Sequence, residues 1–285
     1  MKPFLKWAGG KARSVERIKA VLPSGHRLVE PFVGSGALFL NVEFPAYLLA
    51  DVNHDLINCY QQLQRGGLAF IDFCASYFTP TNNAPDAYYA LRARFNATVD
   101  AVEKAALFIY LNRHGYNGLC RYNRSGGFNV PFGRYTRPYF PRDEMLYFWR
   151  KAARCEFVVA DFVSTLQSTA PGDVVYCDPP YVPLSATAHF ISYHADGFPL
   201  ASQRRLAQEA EAAARRGVSV VISNHDVPFT REIYAAADAY VFFAVRRNIS
   251  CDRLHRTTVA ELLAVFTAPT PPARLRRQPA PATPN

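Results

Sequence analysis

The sequence predicts an α/β fold, one open sheet interrupted by a mostly helical insertion at roughly residues 56–144. Three observations lead there. The chain opens with an apolar run, a glycine turn and a second apolar run that ends at an acid. The middle carries helical periodicity. Short apolar runs then return, one of them stopping at Asp178-Pro179-Pro180-Tyr181.

Taken in order, residues 27–29 read as a strand leading into Glu30-Pro31-Phe32-Val33-Gly34-Ser35-Gly36. A helical pattern follows from Ala37, and a second strand at 47–50 ends at Asp51. Strand, glycine turn, helix, strand and acid make the start of a nucleotide-binding sheet. Helices are expected at 55–64, 68–76, 86–97 and 101–112, the last with Asp100 and Glu103 as a capping box. Periodicity vanishes from 113 to 141, where Gly, Asn, Pro and Arg predict a loop or short hairpin. A loop of that length is functional or disordered, and its aromatics argue against disorder. Helix returns at 142–153, and strands follow at 156–160, 174–177, 219–223, 240–245 and 259–266, with a helix near 200–216. The Pro/Ala/Arg-rich tail, 269–285, reads as disordered. The division expected is 1–55 with 145–268 as a catalytic domain and 56–144 as the insertion.

Bulk composition narrows the function class. Of 285 residues, 49% are hydrophobic, ample for a core, yet no apolar stretch reaches the length that spans a bilayer, about 18 residues. The first residues are charged and glycine-containing, unlike an apolar signal core. Six cysteines, at 59, 74, 120, 155, 177 and 251, lack Cys-x-x-Cys spacing. This predicts reduced thiols in a cytosol, neither zinc site nor disulfide framework. His189 and His194 are not spaced as a helical zinc pair, so no metal is expected. The net charge is +9, and residues 113–154 hold nine Lys/Arg against two acids. Aromatics interleave with these cations, a pattern that suits phosphates and bases.

The Asp178-Pro179-Pro180-Tyr181 run carries the most chemistry. The prolines cannot continue a ladder and fix the local φ, holding a carboxylate, a carbonyl and a ring together. Such a cluster can accept two N–H bonds from a planar amine and stack on its π-face. It serves equally as a proline-rich turn after a buried strand. Gly34 and Gly36 allow close backbone approach to a ligand, and Asp51 stands where an acid takes a ribose hydroxyl pair. The third glycine of a dinucleotide site is replaced by Phe39, which favours a ligand without a diphosphate; S-adenosylmethionine (AdoMet) fits. Trp7 and Lys11, in a glycine-rich N-terminal segment, are expected to dock onto the sheet or its ligand. Asp161 and Phe162 follow another strand, either against the adenine or as a helix cap.

These segments together resemble the DNA adenine-N6 methyltransferases of the Dam type, which mark GATC. The resemblance runs from Phe4 to about Phe266 and is densest at 4–11, 29–41, 50–57, 111–139, 174–188 and 221–226. It implies a Rossmann-like AdoMet-dependent methyltransferase sheet, with the helical insertion as target-recognition domain. It implies AdoMet contacts from Trp7, Lys11, Phe32, Gly34, Gly36, Asp51, Asp161, Phe162 and Asp178. Asp178 and Pro179 would receive the amine, and Tyr181 would stack on a flipped base. Lys6 would read the first guanine, Arg121 another guanine, and Leu119 a thymine methyl. Tyr116 and Asn117 would enter the stack, and Asn129, Pro131, Arg134 and Arg137 would support base or phosphate contacts.

Double-stranded DNA is thus the expected partner, and a monomer of bacterial or phage origin acting in the cytoplasm, at the nucleoid, the expected setting. The same chemistry on an RNA base or a protein glutamine, and a catalytically dead DNA-binding relative, stand as alternatives. The sequence departs from the resemblance at 251–256, where relatives carry a polar, glycine-rich loop. It leaves open whether the chain is a solitary marker serving replication and mismatch repair or the partner of a restriction nuclease.

Overall fold

The structure is a computed structural model that describes residues 1–11, 14–184, 198–246 and 258–269. Seven strands form one sheet: β1 (Arg27–Glu30), β2 (Ala46–Asp51), β3 (Cys155–Val159), β4 (Asp173–Cys177), β5 (Ser219–His225), β6 (Ala239–Arg246) and β7 (Thr258–Phe266). Their order is β3-β2-β1-β4-β5-β7-β6. The first five are parallel, and β7 inserts antiparallel between β5 and β6. This is the open α/β sheet that the sequence predicts, and the antiparallel β7 makes it mixed.

Alternation along the central strands explains the layers. Leu28, Tyr47, Leu49, Val174 and Tyr176 pack on one face with Tyr60 and Phe148, while Val29, Leu48, Val175 and Cys177 pack on the other with Leu166, Leu206 and Ala210. Both faces are covered, so the strands read as continuous apolar runs. The first layer holds α2 (His54–Ala75), α4 (Ala101–His114) and α5 (Arg142–Ala152), with α3 (Pro85–Ala97) packed on α4. The second holds α6 (Phe162–Gln167) and α7 (Leu200–Arg215). Two further short helices, α1 (Val15–Val21) and α8 (Pro228–Ile233), went unforeseen in the sequence.

Helix α2 kinks at Gly67, whose φ is 51° and where a Cβ would meet the Trp149 ring of α5 at 2.7 Å. That bend separates the two helices expected at 55–64 and 68–76. The first half of α2 lies on the sheet: Gln61 donates to the Phe157 carbonyl and Gln64 to that of Cys155, each at 2.8 Å. The expected domain boundary at 55/56 therefore falls inside α2.

One expected element is absent from the described residues. No α-helix follows Ala37; the chain makes only a 3₁₀ turn at Phe39–Asn41. Ala37, Leu38, Phe39, Leu40, Val42 and Phe44 are all buried, so the apolar residues here follow contacts with the core and not a helical stripe. Phe39 instead packs edge-on against Tyr47 and Phe148. The capping box is half formed: Asp100 accepts from Val102 and Glu103 N–H, but the Glu103 carboxylate turns to the Thr98 hydroxyl at 2.7 Å. Strand β5 also runs two residues past its predicted end, because Asn224 and His225 pair with Leu262 and Glu261 of β7.

Candidate active site and nucleic-acid face

Five parallel strands bring their C-terminal tips to one edge of the sheet. The strand order turns back between β1 and β4, and crevices at such switch points hold ligands. At the β1 tip Gly34 has φ +47°, and a Cβ there would lie 2.8 Å from the Trp7 indole. Its N–H donates to Asp51 Oδ2 at 3.2 Å, and its carbonyl accepts from the Tyr60 hydroxyl. Asp51 Oδ1 accepts from Asn53 N–H at 3.0 Å. Burial raises the Asp51 carboxyl above its ordinary range, against the pull of these N–H donors. Gly36, at φ +68°, closes the turn by donating to the Val33 carbonyl.

Beside this turn Phe32 stacks on Phe162 at 5.7 Å, with Phe198 edge-on to both rings. The Asp161 side chain caps α6, accepting from Ser164 N–H at 2.7 Å. The helix-cap reading of Asp161 is thus the one its present hydrogen bond supports. The donor set suits AdoMet better than a dinucleotide. A carboxylate, aromatic faces and a Cβ-free turn are present, but the turn leads into 3₁₀ geometry and offers no α-helix N-terminus for a diphosphate.

At the β4 tip Asp178 is partly shielded and tied on two sides. Its Oδ1 accepts from Ser223 Oγ at 2.9 Å and from Lys11 Nζ at 3.0 Å. Burial still pushes its carboxyl above the ordinary value, with Lys11 and Ser223 opposing. Lys11 also sits over the Tyr181 ring, 4.3 Å from its centroid. The Tyr181 edge meets His225, and its hydroxyl donates to Glu261 at 3.3 Å. Behind the prolines, Gln203 Nε2 donates to the Pro180 carbonyl at 2.7 Å, and Asn224 Oδ1 accepts from Val182 N–H at 3.1 Å. These fully buried amides bond to each other at 3.0 Å. On the face shared by Tyr176 and Asp178, Glu30 is buried, and its Oε1 has no hydrogen-bond partner among the described residues. Burial, first of all, raises the Glu30 carboxyl to about 8.

The N-terminal segment links this edge to the basic loop. Phe4 packs into the core against Phe148 and Tyr60. The Lys6 backbone is held at both ends by the buried Asn112 side chain, which accepts its N–H at 2.8 Å and donates to its carbonyl at 2.7 Å. The Lys6 stem fills the space that a Gly118 Cβ would occupy, and its Nζ lies 4.1 Å from the Tyr135 ring centroid. Burial lowers the Lys6 ammonium, and nearby Arg113 lowers it further. Lys6, Trp7 and Lys11 thus touch, in turn, the basic loop, the glycine turn and Asp178.

The loop is a short irregular hairpin with bridges at Gly115–Phe132 and Tyr122–Phe128. Tyr116, Asn117, Arg121, Pro131, Arg134 and Arg137 are exposed on it, and Leu119 is half-buried. Asn117 and Arg134 adopt positive φ. Arg121 is already braced: its Nε donates to Asn129 Oδ1 at 2.7 Å and an Nη to the Asn129 carbonyl at 3.2 Å. The candidate DNA residues thus gather on one hairpin, with Lys6 entering from the N-terminus.

A family model, D12 class N6 adenine-specific DNA methyltransferase, matches residues 7–248. The chain belongs to this family. It is an adenine-specific DNA methyltransferase, and its relatives agree. It is 50% identical over 265 residues to the DNA adenine methylase of Vibrio cholerae, spanning 93% of this chain and 95% of that protein. The DNA adenine methylase of Escherichia coli strain K12 is 48% identical over 263 residues, spanning 92% and 94%. That of Serratia marcescens is 48% identical over 264 residues, spanning 92% and 97%.

For this methyltransferase the sequence reasoning missed several supporting residues. Ser223, Asn224 and Gln203 brace the Asp178–Val182 segment, and Asn112 fixes Lys6. The run Ser223-Asn224-His225-Asp226, polar at the end of an apolar strand, was the available signal. Asn112 had none, since its partner lies 106 residues away. Among the described residues no group of His, Cys, Asp and Glu is placed to hold a metal ion, and no helix is long and apolar enough to cross a membrane. His189, His194, the 251–256 loop and residues 270–285 of the tail lie outside the described residues.

Proposed function

We propose that this methyltransferase transfers a methyl group from AdoMet to adenine N6 in double-stranded DNA, within GATC, after flipping the adenine out of the stack. The observation that carries the reading is the N-terminal segment: one short stretch touches the basic hairpin, the glycine turn and Asp178. Target reading, cofactor and reacting amine then meet within a few residues.

Trp7, Lys11, Phe32, Gly34, Gly36, Asp51, Asp161 and Phe162 line the AdoMet pocket in this reading, with Asp178 at its reacting end. Bound there, AdoMet supplies an electrophilic methyl on a sulfonium, so a C–S bond breaks as the N–C bond forms. The adenine amine is a weak nucleophile because its lone pair is delocalised into the ring. Asp178 and the Pro179 carbonyl accept its two hydrogens, which localises the lone pair. Tyr181 holds the flipped base, offsetting an extrusion that costs a few kcal/mol. Asp178 then stabilises the positive charge developing on N6, alignment supplies much of the rest, and the methylated nitrogen sheds its extra proton to solvent, leaving neutral N6-methyladenine.

On the DNA side, Arg121 reads guanine through its two-pronged guanidinium, and Leu119 meets the thymine methyl. Lys6 reads the first guanine, and Tyr116 and Asn117 fill the gap left by the flipped base. Asn129, Pro131, Arg134 and Arg137 position the duplex. In this division residues 56–144 recognise the target and 1–55 with 145–268 carry out transfer. A monomer acting in the cytoplasm suits the reading. Transfer of labelled methyl to adenine in a GATC duplex, and not in a scrambled duplex at the same salt, would support it. Transfer to both alike would reject the specificity, and transfer to neither would reject the substrate.

A further inference from the structure

The two oxygens of Asp178 are not equivalent. Oδ1 accepts from both Ser223 and Lys11, whereas Oδ2 has no hydrogen-bond partner among the described residues. Ser223 is itself held from behind, with the Tyr176 hydroxyl 3.0 Å from its Oγ. A serine carries one hydroxyl proton. If that proton serves Asp178, the Tyr176 hydroxyl must donate to Ser223 Oγ. The Ser223 hydroxyl has competing acceptors in the Cys177 carbonyl at 3.4 Å and the Tyr181 hydroxyl, so a donor at its back is what commits its proton to Asp178. Ser223 is 1% exposed and Tyr176 2%, so neither hydroxyl serves solvent.

We propose that Ser223, oriented by Tyr176, is a positioning residue that binds Oδ1 of Asp178 and so turns Oδ2 toward the incoming amine. This rests on the adenine-N6 reading above and deepens it. A carboxylate free to rotate would offer the amine either oxygen in several orientations. One pinned through Oδ1 presents a single lone-pair direction. The pin also favours the ionised carboxylate, the form that accepts from N6 and offsets its developing charge. The groups that act on Asp178 are Lys11 from the N-terminal segment, Tyr176 and Cys177 on β4, Ser223 on β5, Tyr181 on the following loop and Glu30 on β1.

The test compares wild type, Ser223→Ala, Tyr176→Phe and the double variant in single-turnover methyl transfer to a GATC duplex across pH 5–9. AdoMet and DNA binding are measured separately. Loss of one hydrogen bond to a charged group predicts a rate about tenfold to a hundredfold lower for Ser223→Ala. Both affinities should stay within about twofold, and the acid limb of the rate profile should move to higher pH. Tyr176→Phe should lose less, in the same direction, and add nothing to Ser223→Ala, because both act through one bond. Ser223→Ala with wild-type rate and acid limb overturns the assignment, as do losses that multiply in the double variant. If Ser223→Ala does not fold, Tyr176→Phe decides alone, and its unchanged rate and profile overturn it. Wild-type protein that methylates no GATC duplex overturns the proposed function itself.

Discussion

Lys11 Nζ lies 3.0 Å from Asp178 Oδ1, joining the N-terminal segment to the tip of β4. The two side chains are only 12% and 21% exposed, so this pair is less screened than a surface salt bridge. Its electrostatics act where positive charge develops on the substrate nitrogen. Lys11→Ala removes one of the groups that hold the Asp178 carboxyl down against burial. The expected result is methyl transfer slowed by about tenfold to a hundredfold and an acid limb displaced to higher pH. A rate profile measured across pH 5–9 checks it.

Gly34 is required by Trp7. A Cβ at Gly34 would meet the indole at 2.8 Å, at a φ of +47° that side-chain-bearing residues rarely adopt. Gly34→Ala should cost about 1–3 kcal/mol of stability and weaken AdoMet binding. Thermal unfolding with and without AdoMet measures both, and an unchanged cofactor-induced rise in Tm would contradict the placement.

Arg121 and Asn129 act as a unit on the hairpin. Arg121→Ala should lower discrimination at one guanine by about 1–3 kcal/mol, with other positions little changed. Asn129→Ala leaves the guanidinium unbraced and should relax the same position less. Competition among singly substituted GATC duplexes reads the pattern.

Glu30 predicts a pH signature. An unfolded glutamate titrates near 4.5, but in the fold its carboxyl is raised to about 8. Between these values the folded state binds the extra proton, so stability falls as pH rises. The slope is up to about 1.4 kcal/mol per pH unit, lost progressively until the folded carboxyl ionises. Glu30→Gln keeps the shape of the neutral acid. It should flatten the decline in stability between pH 5 and 8 and be more stable than wild type at pH 8. Denaturant titrations at both pH values decide.

The sequence revealed most of the sheet because its strands are buried on both faces and read as plain apolar runs. The glycine turn, Asp51 and Asp178 were equally plain, since chemistry sits where those runs stop. Two kinds of feature escaped. The segment after Gly36 looked helical, but its apolar residues serve core contacts around a 3₁₀ turn, which a run of apolar residues does not distinguish from a helix. Residues that act through distant partners carried no local pattern: Asn112 reaches Lys6 and Gln203 reaches Pro180 across the fold. Of the two roles the sequence left open for Asp161, its hydrogen bond to Ser164 shows the helix cap.

The most direct test of the account is single-turnover methyl transfer by Asp178→Ala in a preassembled complex with AdoMet and a GATC duplex. Asp178 touches the reacting amine in this account and is one of many contacts that hold AdoMet and DNA, so its loss weighs on transfer far more than on binding. The rate should fall by roughly 10³ or more, the scale of a lost preorganised electrostatic partner, with both affinities within about threefold of wild type. Transfer at a rate near wild type would contradict it.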